Sequence, residues 1–367
     1  MGIFIEIDGT RYGPGNVLII AELGTSHGGD MAKAKELVSA AAEAGADCIK
    51  FQMVYADEIL HPKTGTVPLP GGPVPLYDRF RDLELPPDFY RELKEFVESL
   101  GLLFLCTPFG IRSARELRGL SPLAIKIASP ELTYTALLRE TASYGLPVLL
   151  SSGVSTLGDI EYALSFYPRE NACILHCVTA YPAPERDYNL RVLGSLSAVF
   201  GAAVGVSDHS MDPELVPALA AAMGAAAVEK HFCLSRDDPG LDDPIALPPE
   251  DFRRMVRAVR KTSRMDPAQA AAELEQERGR GLVQAVLGDG IKRLAPSEAE
   301  NYQRTNRSVH ALRDIQPGES IEAGAVASLR TEKILRPGLP PVWEARVIGR
   351  KARNFIPAGE GIRFEDV

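Results

Sequence analysis

The stretch AVGVSDHSMDPELVPALAAAMGAAAVEKHF, residues 203–232, decides the fold of this chain. It contains two short apolar runs, and these end in the polar triplets Ser-Asp-His (207–209) and Glu-Lys-His (229–231). The Ala/Leu-rich segment 213–223 between them is typical of a helix, so the stretch predicts a βαβ unit with buried parallel strands. Parallel strands joined by a helix end on the same side of their sheet, so His209 and His231 are expected to face one cleft. Either histidine alone could satisfy a core hydrogen bond, but two converging imidazoles favour a divalent metal with open positions.

The same alternation continues on both sides of this stretch. Strand-like runs cover residues 17–24, 48–52, 102–107, 124–129, 148–153, 173–178, 204–207 and 227–232. Helical patterns cover residues 31–44, 88–100, 111–117, 135–144, 157–166, 190–200, 213–223 and 250–264. Eight such units over about 250 residues predict an α/β fold, a (β/α)8 TIM barrel. The alternative is a doubly wound open sheet, which rarely reaches eight units and would need a Gly-rich first turn.

The composition excludes several classes of protein. The 367 residues carry a net charge of −9, which argues against nucleic-acid binding. Residues 301–367 hold 11 Lys/Arg and 8 Asp/Glu, so this tail is near +3 and the rest of the chain near −12. The five cysteines include no CxxC pair, which favours a reducing compartment. No signal-peptide pattern or membrane-length apolar run is present, so we expect a cytoplasmic protein that does not bind membranes.

The remaining segments suggest how the domains are organised. Residues 1–15 predict a β-hairpin, 16–265 the barrel, 266–300 a short helix and a linker, and 301–367 a small all-β domain. Within that last domain, ALRDIQPGESI (311–321) and KARNFIPAGEGI (351–362) form a near-repeat. The Pro/Gly-rich stretch between residues 54 and 87 is too long for a simple connection and predicts a rim or lid.

Polar side chains interrupt the apolar runs near the ends of the predicted strands, where barrels place their chemistry. Burying an unpaired lysine costs several kcal/mol, so Lys50 and Lys126 need a carboxylate or an anionic ligand. Two lysines among hydroxyl groups predict a floor that binds phosphate and carboxylate. The alternative is a pair of structural ion pairs, Lys50–Glu22 and Lys126–Glu131, which would leave the hydroxyl groups unexplained. The hydroxyl groups belong to Thr107, Ser129, Ser151 and Ser207.

With these residues placed, the chain resembles the sialic acid synthase family along nearly its whole length. The strongest motif is IIAELGTSHGGDMAKAKELVSAAAEAGADCIKFQ at residues 19–52. It is followed in order by LCTPF, IKIAS, LLSSGVST, LHCVTAYPAP, VGVSDHS and EKHF. The repeat phrases and the RPG triplet that begins at Arg336 resemble a C-terminal SAF (antifreeze-like, β-clip) domain.

The resemblance implies a transferase that forms a carbon–carbon bond in carbohydrate and polysaccharide biosynthesis. Phosphoenolpyruvate would condense with an N-acyl hexosamine, foremost N-acetylmannosamine, to give a nine-carbon 2-keto-3-deoxy acid (N-acetylneuraminate) and phosphate. It also implies Mn²⁺ or Mg²⁺ on His209 and His231, and a domain-swapped homodimer in which Arg336 reaches the neighbouring site. The implied phosphoenolpyruvate residues are Lys50, Thr107, Lys126, Ser129, Ser151 and Ser207, with Thr179 where relatives have Asn. Those implied for the sugar are Glu22, Gln52, Glu131, Tyr181 and Asp242.

The catalytic candidates are Lys50, Lys126 and two glutamates, Glu22 and Glu131, whose roles the sequence does not divide. Several alternatives remain open at this stage. The acceptor could be that of a legionaminic or pseudaminic acid synthase, or N-acetylmannosamine 6-phosphate. A keto-deoxy sugar phosphate synthase would not need the C-terminal domain. A non-catalytic carbohydrate-binding or coat-assembly protein would not need to keep the two lysines and two histidines.

Overall fold

The computed structural model describes residues 3–69 and 72–367. The strands are β1 Ile5–Ile7, β2 Thr10–Tyr12, β3 Leu18–Gly24, β4 Cys48–Met53, β5 Thr66–Leu69, β6 Gly72–Pro75, β7 Leu103–Pro108, β8 Ile125–Ile127, β9 Val148–Ser151, β10 Ala172–Cys177, β11 Ala203–Asp208, β12 Ala227–His231, β13 Arg307–Ala311 and β14 Val326–Arg330. The helices are α1 Met31–Glu43, α2 Ala56–Ile59, α3 Leu76–Arg81, α4 Pro87–Ser99, α5 Ile111–Gly119, α6 Thr135–Ala142, α7 Leu157–Leu164, α8 Val192–Phe200, α9 Leu215–Ala222, α10 Pro249–Thr262, α11 Pro267–Arg278, α12 Arg280–Leu287 and α13 Glu344–Val347.

Eight strands form a parallel sheet in the order β7-β4-β3-β12-β11-β10-β9-β8, which curls into a nearly closed barrel. This confirms the predicted TIM barrel. The eight strands lie where the sequence places them, although β8 and β9 are shorter than predicted. Pro130 cannot continue a strand ladder, and residues Ser129–Glu131 form a 3-10 turn that follows β8.

The barrel interior is apolar at the bottom and polar at the top. Alternate residues of a strand face inward, so the inward side chains can be followed along each strand. Leu18 and Ile20 of β3 lie in the lower core, and the next inward residue is Glu22. On β4 the same series runs from Cys48 to Lys50. The β1–β2 hairpin closes the bottom with Ile5 and Ile7. The polar residues of these inward series follow the apolar ones along each strand, which places them toward the upper end of the barrel.

The segment 266–300 is more structured than the predicted helix and linker. It forms α11 and α12, and their residues Leu274, Val283 and Val286 are buried in the main barrel core. Their apolar spacing makes this docking favourable, so only residues 288–300 connect the barrel to the next domain. The rim stretch contains α2 and α3, which enclose a separate small core with Ile59 and Leu76.

The C-terminal domain is small and dominated by β-structure. β13 pairs antiparallel with β14, and isolated bridges join Ile315 to Ile356 and Ser320 to Lys351. These bridges pair the two repeat phrases with each other. The domain packs over the open end of its own barrel, where Thr64 of the rim donates to the carbonyl of Thr331 at 3.1 Å. Among the described residues, no helix is long and apolar enough to cross a membrane.

Candidate active site

A buried network of charges occupies the upper end of the barrel. Lys50 Nζ lies 2.9 Å from Glu229 Oε1 and 3.3 Å from Glu22 Oε2. Gln52 Nε2 donates to the other oxygen of Glu22 at 2.6 Å, and Ser207 Oγ donates to Glu229 at 2.9 Å. The three charged groups lie on β3, β4 and β12, which are neighbours in the sheet, so strand register brings them together.

Lys126 is 1% exposed and has no carboxylate at close range. Its Nζ donates to Ser151 Oγ at 2.6 Å and to the Ile127 carbonyl at 3.1 Å, while the nearest carboxylate oxygen of Glu229 is 3.9 Å away. The sequence offered two structural ion pairs as the alternative to an anion-binding floor. Of these, Lys50–Glu22 forms and Lys126–Glu131 does not. Lys126 is a buried ammonium whose charge is compensated only in part.

Several hydroxyl groups beside the lysines have room for a ligand. Thr107 Oγ1 and Thr179 Oγ1 are buried and have no hydrogen-bond partner among the described residues. Ser129 Oγ accepts a hydrogen bond from the N–H of Gly153 at 3.0 Å. A Cβ on Gly153 would lie 2.1 Å from Thr179 Oγ1 and 3.0 Å from Ser129 Oγ. The glycine thus keeps open a small cradle lined by hydroxyl groups, which suits an anion.

Burial and the attraction between opposite charges give the acidic and basic groups of this network different pKa values. Burial raises the pKa of Glu22 to about 7, against the opposing attraction of Lys50. Burial alone would also raise the pKa of Glu229, but Lys126 and Lys50 hold it at about 2. Burial lowers the pKa of Lys126 to about 8. The site therefore contains a fixed carboxylate, a carboxyl group that titrates near neutrality and a lysine that titrates just above it.

His209 and His231 converge as predicted, with ring centroids 5.5 Å apart. His209 Nδ1 bonds the Val178 carbonyl at 3.0 Å, which leaves Nε2 as its free ring nitrogen. Tyr181 stacks on His209 at 4.3 Å, and Asp242 Oδ2 lies 3.8 Å from His231 Nδ1. Two imidazoles and a carboxylate are ligand types that a divalent cation accepts. No group of three or more His, Cys, Asp or Glu in the described ranges has the geometry of a complete metal site.

The C-terminal domain contributes two arginines to the barrel opening. Arg330 contacts both carboxylate oxygens of Glu131, at 2.8 and 3.0 Å, and Arg307 lies 3.1 Å from the same group. Arg307 also donates to the carbonyls of Phe109 and Glu58, so it bridges the barrel, the rim and its own domain. Glu131 is fully buried, and its carboxylate is held between these two guanidinium groups.

Arg336, the arginine that the sequence resemblance singles out, lies elsewhere. Its guanidinium donates to Asp366 and to the carbonyl of Gly361, both within the C-terminal domain. The structure does not bring it to the side chains at the barrel opening. The sequence reasoning also left Glu229 out of the proposed site and missed Arg307 and Arg330. Glu229 stands at a strand end like the other site residues, whereas nothing in the local pattern marks the two arginines.

Comparisons with known proteins agree with the fold and its two domains. A sequence model of the NeuB family matches residues 37–269, and a model of the SAF domain matches residues 306–367. The crystal structure of the spore coat polysaccharide biosynthesis protein SpsE from Bacillus subtilis is 33% identical and has a TM-score of 0.82, with 99% of each chain covered.

Two further relatives carry names of sugar-acid synthases. The N-acetylneuraminic acid (sialic acid) synthetase from Leptospira borgpetersenii serovar Hardjo-bovis, solved with citrate, is 30% identical, with a TM-score of 0.65 over 82% of this chain and 95% of that chain. The N,N'-diacetyllegionaminic acid synthase of Campylobacter jejuni subsp. jejuni serotype O:2 is 32% identical over 85% of this chain and 90% of the relative.

Proposed function

This chain belongs to the NeuB family, and from that premise we propose that it condenses phosphoenolpyruvate with an N-acyl hexosamine. The product would be a nine-carbon 2-keto-3-deoxy sugar acid, with release of phosphate. The first acceptor that we propose is unphosphorylated N-acetylmannosamine, which would give N-acetylneuraminate. The observation that carries the proposal is the buried floor of Lys50, Lys126 and Ser151 beside the unpartnered hydroxyls of Thr107 and Thr179.

The floor suits a small substrate that carries both a phosphate and a carboxylate. Lys126 has a hydroxyl and a carbonyl as its closest partners, so a ligand anion would supply the missing compensation for its buried charge. The unpartnered threonine hydroxyls would donate to oxygens of the same anion. Charge-assisted hydrogen bonds of this type are about twice as strong as neutral ones.

The environments of the two glutamates suggest different roles. The pKa of Glu22 is raised to about 7, so near neutral pH this carboxyl group can take the proton of the water that adds at C2 of phosphoenolpyruvate. Glu131 is held by Arg307 and Arg330, which fixes its orientation. We therefore assign the proton transfer to Glu22 and a positioning role, toward the acceptor, to Glu131.

We propose His209 and His231 as the protein ligands of a Mn²⁺ or Mg²⁺ ion, with Asp242 close to His231. When bound there, the ion would supply Lewis-acid polarisation of the acceptor aldehyde. Tyr181 stacks on His209 and is about half exposed, so its ring can contact the acceptor while it restricts the imidazole. Gln52 holds Glu22 in place from the adjacent strand.

The charges at the barrel opening favour an acceptor without a phosphate group. Arg307 and Arg330 are the guanidinium groups that contact Glu131, and Arg307 is also committed to three backbone carbonyls. A phosphorylated acceptor would have to compete with Glu131 for them. Acceptors of the legionaminic and pseudaminic type carry no such phosphate and belong in the same test.

We further propose the homodimer with exchanged SAF domains. In this dimer, Arg307 and Arg330 of one chain would contact Glu131 in the barrel of the other chain. The interface that the structure shows within one chain would then form between two chains. The predicted contact of Arg336 with the neighbour's acceptor is a separate proposal, because it requires the guanidinium to leave Asp366 and Gly361, which bind it within the SAF domain.

The test is to incubate the protein with phosphoenolpyruvate, Mn²⁺ and a panel of acceptors and to follow phosphate release, with product masses by mass spectrometry. The panel contains N-acetylmannosamine, its 6-phosphate and the diacetamido-trideoxyhexoses. We expect acceptor-dependent phosphate release that is fastest with N-acetylmannosamine. Faster turnover of another acceptor would correct the sugar assignment, and no acceptor-dependent release with any of them would refute the condensation.

A further inference from the structure

Side chains from the connecting segment and from the start of the C-terminal domain bind the backbone of two neighbouring barrel loops. Glu298 is 1% exposed, and its Oε2 accepts hydrogen bonds from the N–H groups of Val154 and Thr179, each at 2.9 Å. The carbonyl of Val154 accepts from Asn306 at 3.0 Å, and the carbonyl of Thr179 accepts from Asn301 at 3.0 Å. We call these three side chains the loop clamp: Glu298, Asn301 and Asn306. The clamp satisfies both backbone polar groups of both loop residues.

One of the clamped residues has an unfavourable backbone conformation. Val154 has a φ of 42°, a left-handed value that is costly for a β-branched residue. Such residues persist where surrounding contacts over-determine them, and they concentrate at functional sites. The other oxygen of Glu298 accepts from the N–H of Ala295 at 3.0 Å, which fixes the carboxylate itself. The clamp therefore holds the loop after β9 in a conformation that it would not favour alone.

One clamped loop carries a hydroxyl group of the proposed anion site, and the other binds a second hydroxyl group through its backbone. Val154 directly follows Gly153, whose N–H donates to Ser129 Oγ at 3.0 Å. Thr179 carries one of the unpartnered hydroxyls. Lys292, also from the connecting segment, donates to the carbonyl of Ser152 at 3.1 Å. A shift of the loop after β10 would move Thr179 Oγ1 relative to Ser129 Oγ, and a shift of the loop after β9 would move the Gly153 N–H relative to Ser129 Oγ.

We propose that the loop clamp positions the anion-binding loops and that Glu298 is a positioning residue for phosphoenolpyruvate binding, which it supports without touching the substrate. The identity of the anion rests on the proposed function. Asn306 directly precedes Arg307, which binds Glu131, so the clamp also links the docking of the SAF domain to the order of the floor. The connecting segment thereby becomes part of the substrate-binding machinery.

The test replaces Glu298 with Gln, which keeps the volume but turns one acceptor oxygen into an N–H₂ donor that faces N–H groups. We expect the dissociation constant for phosphoenolpyruvate, measured by calorimetry without acceptor, to rise about tenfold. The KM for the acceptor should stay within about twofold. Amide hydrogen exchange of the segments around Val154 and Thr179 should become faster. The matched control is Glu300→Gln, two residues along the same segment and exposed, which should change none of these quantities.

Unchanged exchange and unchanged phosphoenolpyruvate affinity in folded Glu298→Gln protein would overturn the proposal. A general loss of stability with an unchanged dissociation constant would also overturn it, because that is the result of a purely structural role. If Glu298→Gln does not fold, the double variant Asn301→Ser/Asn306→Ser takes its place with the same expected results. Wild-type protein that binds no phosphoenolpyruvate would refute the proposed function, while exchange at Val154 and Thr179 would still decide whether the clamp orders the loops.

Discussion

Lys126 is a buried cation whose charge the folded chain compensates only in part, since a hydroxyl and a backbone carbonyl are its nearest partners. Replacing it with Met keeps the aliphatic volume and removes the charge that a substrate anion would meet. We expect Lys126→Met to raise the KM for phosphoenolpyruvate by about tenfold or more, equivalent to about 1.4 kcal/mol of lost charge-assisted bonding. Unchanged phosphoenolpyruvate affinity by titration would show that the floor is misassigned.

The protonation states of Glu22 and Lys126 predict how activity depends on pH. Glu22 has a pKa raised to about 7 and acts as a base only when deprotonated, so activity should rise with pH through that value. Lys126 has a pKa lowered to about 8 and binds an anion only when protonated, so activity should fall above that value. We expect a bell-shaped profile of kcat/KM for phosphoenolpyruvate. In Lys126→Met the alkaline fall should disappear while the acid limb remains; an alkaline fall retained by this variant would assign it to another group.

The two strand-end histidines predict dependence on a divalent metal. His231→Ala should lose Mn²⁺-dependent turnover by at least about a hundredfold, because metal-assisted carbonyl polarisation contributes several kcal/mol. The side chain ends a strand above the packed core, so the melting temperature should change little. Calorimetric titration of Mn²⁺ into the chelator-treated variant should show that binding is lost. Full activity of this variant after chelation would contradict the assignment.

At the scale of elements, the loop that follows β9 needs a glycine beside the substrate cradle. A Cβ on Gly153 would approach Thr179 Oγ1 to 2.1 Å and Cys177 Sγ to 3.1 Å. We expect Gly153→Ala to destabilise the fold by about 1–3 kcal/mol through overpacking and to abolish phosphoenolpyruvate binding. The matched control is Gly194→Ala on the exposed face of α8, where a Cβ meets nothing within 4 Å.

The control substitution should stabilise the protein by up to about 1 kcal/mol, because alanine has the higher helix propensity. Urea denaturation and calorimetric titration measure both effects. Normal stability together with normal substrate binding in Gly153→Ala would show that the cradle has more room than these distances allow.

At the scale of the whole molecule, the exchange of SAF domains can be tested by complementation. Lys126→Met impairs a barrel at phosphoenolpyruvate concentrations well below the KM, and Arg330→Ala removes the bidentate contact of the SAF domain with Glu131. In a swapped dimer of one chain of each kind, one site combines an intact barrel with an intact SAF domain. Mixing should therefore restore about a quarter of the wild-type activity after random subunit exchange. No recovery despite proven exchange, or a fully active monomer by light scattering, would rule out the swapped dimer.

The sequence by itself determined the barrel and the positions of most polar groups inside it. Strand runs and amphipathic helices repeat as local patterns, so eight βα units can be counted without a structure. The period of two along a strand then fixes which residues face inward. Lys50, Lys126 and Ser151 could be assigned to one floor for this reason, and His209 and His231 to one cleft.

Only the tertiary structure decided which of these groups pair and how the SAF domain meets the barrel. Lys126 contacts Ser151 instead of Glu131, because Glu131 is occupied by Arg307 and Arg330. Those arginines are separated from Glu131 by 176 and 199 residues along the chain. No local periodicity encodes contacts of that range. They depend on how two domains with separate hydrophobic cores dock, and docking is set by shape and charge over a whole surface.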